Sequence, residues 1–239
     1  MPASELSVTP GMVMTPNTLE TEPMQQPTYA AAYVPDVETR TFDDALAPAI
    51  RWIEEQCAAT KTTAVLVTPR KTISLYPENL QVFVARNGNH ATPMGRYLQR
   101  VPRGRPTLVY VPDEQMLDMG TSYANGAALV AVEDASFRLG GWAAAVGAIN
   151  LDTGQVVAAP PEDVIKLLEH IVFLGNNGYG DKYTKNHIGV WIDKLLAVAP
   201  ELDGAFVGGW VLAHGRSDDG AKNIRALVDA RRRVTGRAR

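Results

Sequence analysis

Carboxylate side chains directly follow two apolar segments of the chain. Segment 107–112 is followed by Asp113, and segment 128–132 is followed by Glu133 and Asp134. Carboxylates in such positions can accept ribose hydroxyls, hold a cation, or stabilise the oxocarbenium-like centre of a glycosidic cleavage. The alternative is structural, because an acidic residue after a strand is often only a helix cap.

The residues between these carboxylates predict a βαβ unit. Segments 107–112 and 128–132 are predicted strands, and they are joined by a helix at about 114–124 that Asn125 and Gly126 close. A connection of this length makes the strands parallel and the crossover right-handed, so both strands end at the same edge of the sheet. Open α/β sheets bind their ligands at that edge.

Two cationic residues are expected near the same edge. The segment "TTAVLVTP" predicts a third buried strand, and Arg70 and Lys71 follow it. If this strand joins the sheet in parallel, both cations lie close to Asp113. The helix that starts at Glu114 would point its N–H groups toward the same crevice, as anion sites at helix N-termini do.

A glycine-rich loop at 175–185 is a second place where a phosphate could bind. Its backbone N–H groups, together with Asn176, Asn177, Lys182 and neighbouring side chains, could cradle the anion. The alternative is an elaborate helix stop. The loop is not a P-loop, and the dinucleotide pattern GxGxxG is absent from the sequence, so ATP hydrolysis and NAD-dependent dehydrogenation are disfavoured.

Other chemistry finds little support in the sequence. The four histidines lack metal-ligand spacing, no GxSxG elbow occurs, and the single Cys57 falls on the apolar stripe of a predicted helix, where we expect it in the core. No cofactor is indicated. One cysteine, no long apolar run and no secretory leader together predict a cytoplasmic protein that does not span a membrane.

Composition predicts a folded protein with an irregular start. Apolar residues make up 46% of the chain and the net charge is −3, which excludes global disorder and gives no global sign of a nucleic-acid or membrane partner. Residues 1–40 contain six prolines and no clear periodicity, which predicts a disordered or extended arm. Such an arm could order on a protein partner.

The remaining chain predicts an α/β fold, a small Rossmann-like parallel sheet of three to four strands followed by a helical C-terminal region. We place the α/β domain at about 41–155 and the helical region at 156–239. The ambiguous segment 77–87 alternates like a strand, yet Pro77 at its start and the Asn-Gly stop favour a helix.

The segment "DMGTSYANG", Asp118 to Gly126, resembles the helix "D-x-G-x-x-Y-A-x-G" of the nucleoside deoxyribosyltransferase-like and TIR-like group. With the strands on either side, residues 107–134, the similar arrangement covers about one eighth of the chain. It implies a Rossmann-like fold in which Asp118, and less strongly Glu133, acts at the C1′ carbon of a ribosyl unit. Ala-rich helices with Arg as the main cation also resemble proteins of actinobacteria and their phages, which implies no activity.

These features predict a protein that binds a nucleotide or nucleoside, with cleavage or transfer at a glycosidic bond as the associated chemistry. Asp113, Asp118 and Glu133 are the candidate catalytic residues. The candidate ligand-binding residues are Arg70, Lys71, Asp134, Asn176, Asn177 and Lys182.

Two rival functions stay open. The first is a non-catalytic structural or interaction protein of a phage or mobile element. The second is a nucleic-acid binder that uses a helix pair at about 203–233 and the arginines of "RRRVTGRAR". Asp218 and Asp219 at the start of the last helix argue against it, because they repel phosphate, and a solvated tail explains the arginines equally well.

Overall fold

The computed structural model describes residues 28–95, 101–180 and 182–237. Within these ranges the chain forms one mixed sheet in the order β3-β2-β4-β5-β1-β6-β7, in which every pair is parallel except β6 with β7. The strands are β1 (Ala30–Val34), β2 (Val65–Val67), β3 (Asn89–Ala91), β4 (Thr107–Tyr110), β5 (Ala128–Val132), β6 (Ile149–Asn150) and β7 (Gln155–Val156).

Eight α-helices accompany the sheet in the described part of the chain. They are α1 (Phe42–Thr60), α2 (Glu78–Asn87), α3 (Glu114–Ala124), α4 (Gly140–Val146), α5 (Glu162–Leu174), α6 (Lys182–Val198), α7 (Gly204–Ala213) and α8 (Asp218–Arg237). The predicted βαβ unit is confirmed, because β4 and β5 are parallel neighbours joined by α3. The ambiguous segment is helical from Glu78 to Asn87, as the proline and the Asn-Gly stop predicted, with Pro77 as the N-cap and Gly88 ending the helix in the left-handed conformation.

The predicted strand number was wrong, because the sheet has seven strands rather than three or four. β3, β6 and β7 are two or three residues long, which is too short for a pattern of alternating residues to show. The hairpin of β6 and β7 also makes the sheet mixed rather than purely parallel.

The predicted arm at 1–40 extends too far along the chain, because part of it belongs to the sheet. Residues Ala30–Val34 form β1, which pairs in parallel with β5 on one side and β6 on the other. Its "AAAYV" sequence has three alanines, which are weak strand formers, and so it carries no strand signal after a proline-rich stretch. Most of the predicted arm, residues 1–27, lies outside the described residues.

Helices cover both faces of the sheet. α1 and α2 pack on one face, where Leu46 and Phe83 join a buried cluster with Val130 of β5. α3 and α4 pack on the opposite face, and the C-terminal helices extend the same apolar cluster there, through Trp210 among others. The sheet and the C-terminal helices therefore share one hydrophobic core.

This double winding creates two places where neighbouring strands lead to opposite faces. β4 and β5 lead into α3 and α4, whereas β2 and β1 lead into α2 and α1 on the other face. The changes therefore fall between β2 and β4 and between β5 and β1. Crevices at the carboxyl ends of strands open at such switch points, and these are the usual ligand sites of open α/β sheets.

Candidate functional site

The crevice between β5 and β1 is bridged by Glu133, which is only 7% exposed. Its Oε2 accepts the backbone N–H of Leu139 at 2.7 Å, immediately before α4. Its Oε1 accepts hydrogen bonds from Arg138 at 2.9 Å and from the backbone N–H of Asp36, which follows β1, at 3.3 Å. The predicted catalytic carboxylate thus joins the ends of β5 and β1 to the start of α4.

Ion pairs reinforce this closure. Arg138 reaches both Glu133 and the carboxylate of Asp36, the latter at 3.1 Å. Arg40 pairs with Asp152 beyond β6 and also donates to the carbonyl of Pro35. The carboxyl ends of β5, β1 and β6 are therefore tied to one another by side chains, which leaves the other switch point as the better candidate for a ligand.

The crevice between β2 and β4 has a different lining. Thr68 follows β2, is fully buried, and lies 2.7 Å from Nε2 of His90 on β3. The Thr68 hydroxyl donates its proton to the carbonyl of Arg70 at 2.8 Å, so it must accept from an Nε2–H tautomer of His90. Burial lowers the pKa of His90, and the nearby Lys71 ammonium lowers it further.

The predicted cations lie at this crevice. β2 pairs in parallel with β4, as the prediction for Arg70 and Lys71 required, and both side chains are exposed. The loop that carries them is anchored by Tyr76, whose hydroxyl accepts the Arg70 N–H at 2.8 Å and donates to the Arg70 carbonyl. Two exposed cationic side chains thus extend from a backbone that Tyr76 holds by hydrogen bonds.

Aromatic rings form the next part of the crevice. Tyr110, the last residue of β4, packs edge-to-face against Tyr76 at 5.7 Å and Phe42 at 5.9 Å between ring centroids. Burial, with the negative charges of Asp43 and Asp134 nearby, raises the pKa of Tyr110 to about 12. The Tyr110 hydroxyl therefore stays protonated at neutral pH and can donate a hydrogen bond.

Asp113 and Asp134 lie at neighbouring strand ends but hold backbone turns. Asp113 is the N-cap of α3 and accepts the N–H of Met116 at 2.8 Å. Asp134 accepts the N–H of Ser136 at 2.8 Å. Both carboxylates therefore hold local backbone, as the structural alternative predicted: Asp113 caps a helix and Asp134 holds a turn.

Asp118 lies inside α3 rather than at a strand end. It is four residues beyond Glu114, which places it about 6 Å further along the helix axis from the strand ends. Glu114 itself is buried and pairs with Arg225 of α8 at 3.1 Å. The structure thus separates Asp118 from the end of the helix at which Asp113 lies.

The glycine-rich loop is organised around Tyr179, which is fully buried. A Cβ on Gly175 would lie 2.0 Å from the Tyr179 ring, and Gly220 of α8 lies against the opposite part of the same side chain. Asn176 accepts a hydrogen bond from Arg216 at 2.9 Å. Packing against Tyr179 therefore explains Gly175, and the positive φ of 85° explains Gly178. The side chains of Asn177 and Lys182 lie outside the described residues.

The predicted helix pair near the C-terminus is present as α7 and α8. Asp203 caps α7, and Ser217 accepts the N–H of Gly220 at the start of α8. Ala221, Ile224 and Val228 are among the buried residues of α8. One face of α8 is therefore committed to the core, and a nucleic-acid role for this pair stays a prediction.

Thr68, His90, Tyr76 and Tyr110 were not among the predicted site residues. Each is a single residue within or beside a short element, and their proximity arises from the strand order β3-β2-β4. That order depends on pairings between distant parts of the chain. Only the "TP" after β2 and the Tyr that ends β4 mark the positions in the sequence.

No group of three or more potential metal ligands occurs among the described residues. None of the helices described is long and apolar enough to cross a membrane. No protein-family model, curated protein or solved structure matches the chain.

Proposed function

We propose that this protein binds a nucleotide or nucleoside at the carboxyl ends of β2 and β4. The observation that carries the proposal is the switch point between these strands, where the helix after β2 and the helix after β4 pack on opposite faces of the sheet. In open α/β sheets the ligand crevice forms at such a point. The equivalent position between β5 and β1 is occupied by the Glu133 hydrogen bonds.

The chemistry of the crevice suits such a ligand. Arg70 and Lys71 are exposed cations that can contact a phosphate, and the N-terminus of α3 faces the same strand ends. Phe42 and Tyr76 offer aromatic surface to a base, and the protonated Tyr110 offers a donor.

Cleavage or transfer at a glycosidic bond is the catalytic extension of this proposal. It would require a carboxylate at the ribosyl C1′ carbon, and Asp113 is the candidate nearest to the crevice. The observed contacts favour binding over catalysis, because Asp113 and Glu133 are engaged in hydrogen bonds that hold helix starts. Chromatography of NAD⁺ and nucleosides after incubation with the protein tests the extension separately.

Isothermal titration calorimetry with ATP, AMP, adenosine and NAD⁺ tests the proposed binding. We expect saturable binding that is stronger for the phosphorylated ligands and weakens about tenfold in Lys71→Met. Lys166→Met is the matched control, because Lys166 is an exposed lysine on α5 and should leave the affinity unchanged. No binding of any of these ligands, or equal loss in both variants, would refute the proposed site.

A further inference from the structure

A surface groove runs between α1 and α2 on the face of the sheet opposite the C-terminal helices. Its volume is about 520 Å³. Both helices follow parallel strands, so they run side by side in the same direction, from the carboxyl edge of the sheet toward the amino edge. The proposed nucleotide site lies beyond the end of this groove at the carboxyl edge of the sheet. The residues that line the middle of the groove and its end at the amino edge, Ile50, Val82 and Arg86 among them, are not part of that site.

The floor of the groove is apolar. Ile50 of α1 is half-buried, and Phe83 of α2 is 1% exposed. Val82 also lines the groove and is 42% exposed, whereas Leu80 and Phe83 of the same helix are buried. Val82 therefore adds exposed apolar area to the floor of this concave surface.

The rim of the groove is acidic. Asp43 and Glu78 lie at its end near the carboxyl edge, and Glu54 lies toward the other end. The cation that lines the groove, Arg86, lies within 3.5 Å of Glu54, so its charge is balanced. The rim therefore carries a net negative charge around an apolar floor.

We infer that this groove is a docking site for a basic amphipathic helix of a partner protein. The charge of the rim calls for lysine or arginine on the partner, and Ile50, Val82 and Phe83 call for leucine-like side chains between them. From Asp43 to Glu54 the groove spans about 17 Å of helix axis, which accommodates about three turns of a docked helix.

Fluorescence anisotropy with a labelled synthetic peptide tests the inference. The probe is a helical peptide of about 18 residues with leucine on one face and lysine on the other, and its counterpart carries glutamate in place of lysine. We expect the basic peptide to bind saturably, with an affinity that falls as salt is added, and the acidic peptide not to bind.

Val82→Lys places a positive charge on the floor and should weaken binding about tenfold or more. Val190→Lys is the matched control, because Val190 is an exposed valine of α6, 54% exposed, and the same change there should leave affinity within about twofold. Glu78→Gln provides a second variant and should weaken binding while reducing its salt dependence.

Absence of binding by the basic peptide, equal binding of both peptides, or equal effects of the two valine substitutions would each overturn the inference. Circular dichroism of each variant confirms that the fold is retained. The outcome is independent of nucleotide binding, because Val82 lies in the middle of the groove rather than at the strand ends.

Discussion

Glu133 Oε2 accepts the backbone N–H of Leu139 at 2.7 Å in a buried position. A carboxylate whose place after a strand suggested catalysis is thus bound to the first residues of the α4 region. Its second oxygen meets Arg138 and the N–H of Asp36. An acidic residue after a buried strand therefore has a structural role here, because its hydrogen bonds connect the ends of β5 and β1 to the start of α4.

Glu133→Ala should lower the free energy of unfolding by about 2–3 kcal/mol, because it leaves the backbone N–H groups of Leu139 and Asp36 without their acceptor and removes one of the two carboxylates that Arg138 contacts. Urea denaturation measures the change. Asp134→Ala, at the next position and with contacts to an exposed turn, should cost less than about 1 kcal/mol. If Glu133→Ala keeps full stability but loses ligand binding, the structural role assigned to Glu133 is wrong.

Glu114 and Arg225 should show a favourable coupling energy. Glu114 is buried at the start of α3, and Arg225 of α8 reaches it at 3.1 Å while also donating to the carbonyl of Ser136. Glu114→Gln and Arg225→Met should each destabilise the protein by about 1–3 kcal/mol. In a double-mutant cycle we expect the double variant to lose less than the sum of the two single losses. If the two single losses add up to the loss of the double variant, the interaction between Glu114 and Arg225 contributes nothing to stability.

Local patterns predicted the elements better than their assembly. The cap, turn and periodicity signals around α3 correctly predicted β4, α3 and β5, because these depend on neighbours in the sequence. β1 was missed, because three alanines become a central strand only through pairing with β5 and β6. The contact between Thr68 and His90 likewise requires the β2–β3 pairing, which no local pattern reveals.

The position of the candidate site was predicted only in part. The predicted parallel pairing of β2 with the sheet is confirmed, so Arg70 and Lys71 lie at the same edge as Asp113. Which carboxylates are engaged in hydrogen bonds could not be predicted, since that depends on the paths of the loops after β5 and β1. Asp118 was taken from a resemblance, and the observed helix places it away from the strand ends.

Gly141→Ala should disrupt the crossing of α4 and α7. A Cβ at Gly141 would lie 1.8 Å from the carbonyl oxygen of Phe206, and backbone cannot move aside as a side chain can. We expect a loss of about 3 kcal/mol or more in thermal or urea unfolding. Gly140→Ala is the matched control, because its nearest contact would be a ring atom of Phe206 at 3.8 Å. Equal effects of the two substitutions would contradict the close helix contact.

His90 should make the protein less stable in mild acid. Burial and Lys71 lower its pKa below the ordinary value of 6.5, so the unfolded chain takes up a proton at a higher pH than the folded one. The stability that His90 contributes is therefore present above pH 6.5 and is lost as pH falls from 6.5 toward the lowered pKa of the folded state. His170 and His214 have pKa values lowered in the same direction, so all three contribute to the loss.

Urea unfolding at about pH 7.5 and about pH 5.5 measures this effect. In His90→Gln the loss of stability between these pH values should be smaller than in the parent protein, because one proton-uptake site is gone. Lys71→Met should also reduce the loss, since it removes the charge that opposes protonation of His90. A titration of the His90 ring by NMR should give a midpoint below 6.5, and a midpoint at or above it would contradict the lowering of the His90 pKa by burial and by Lys71.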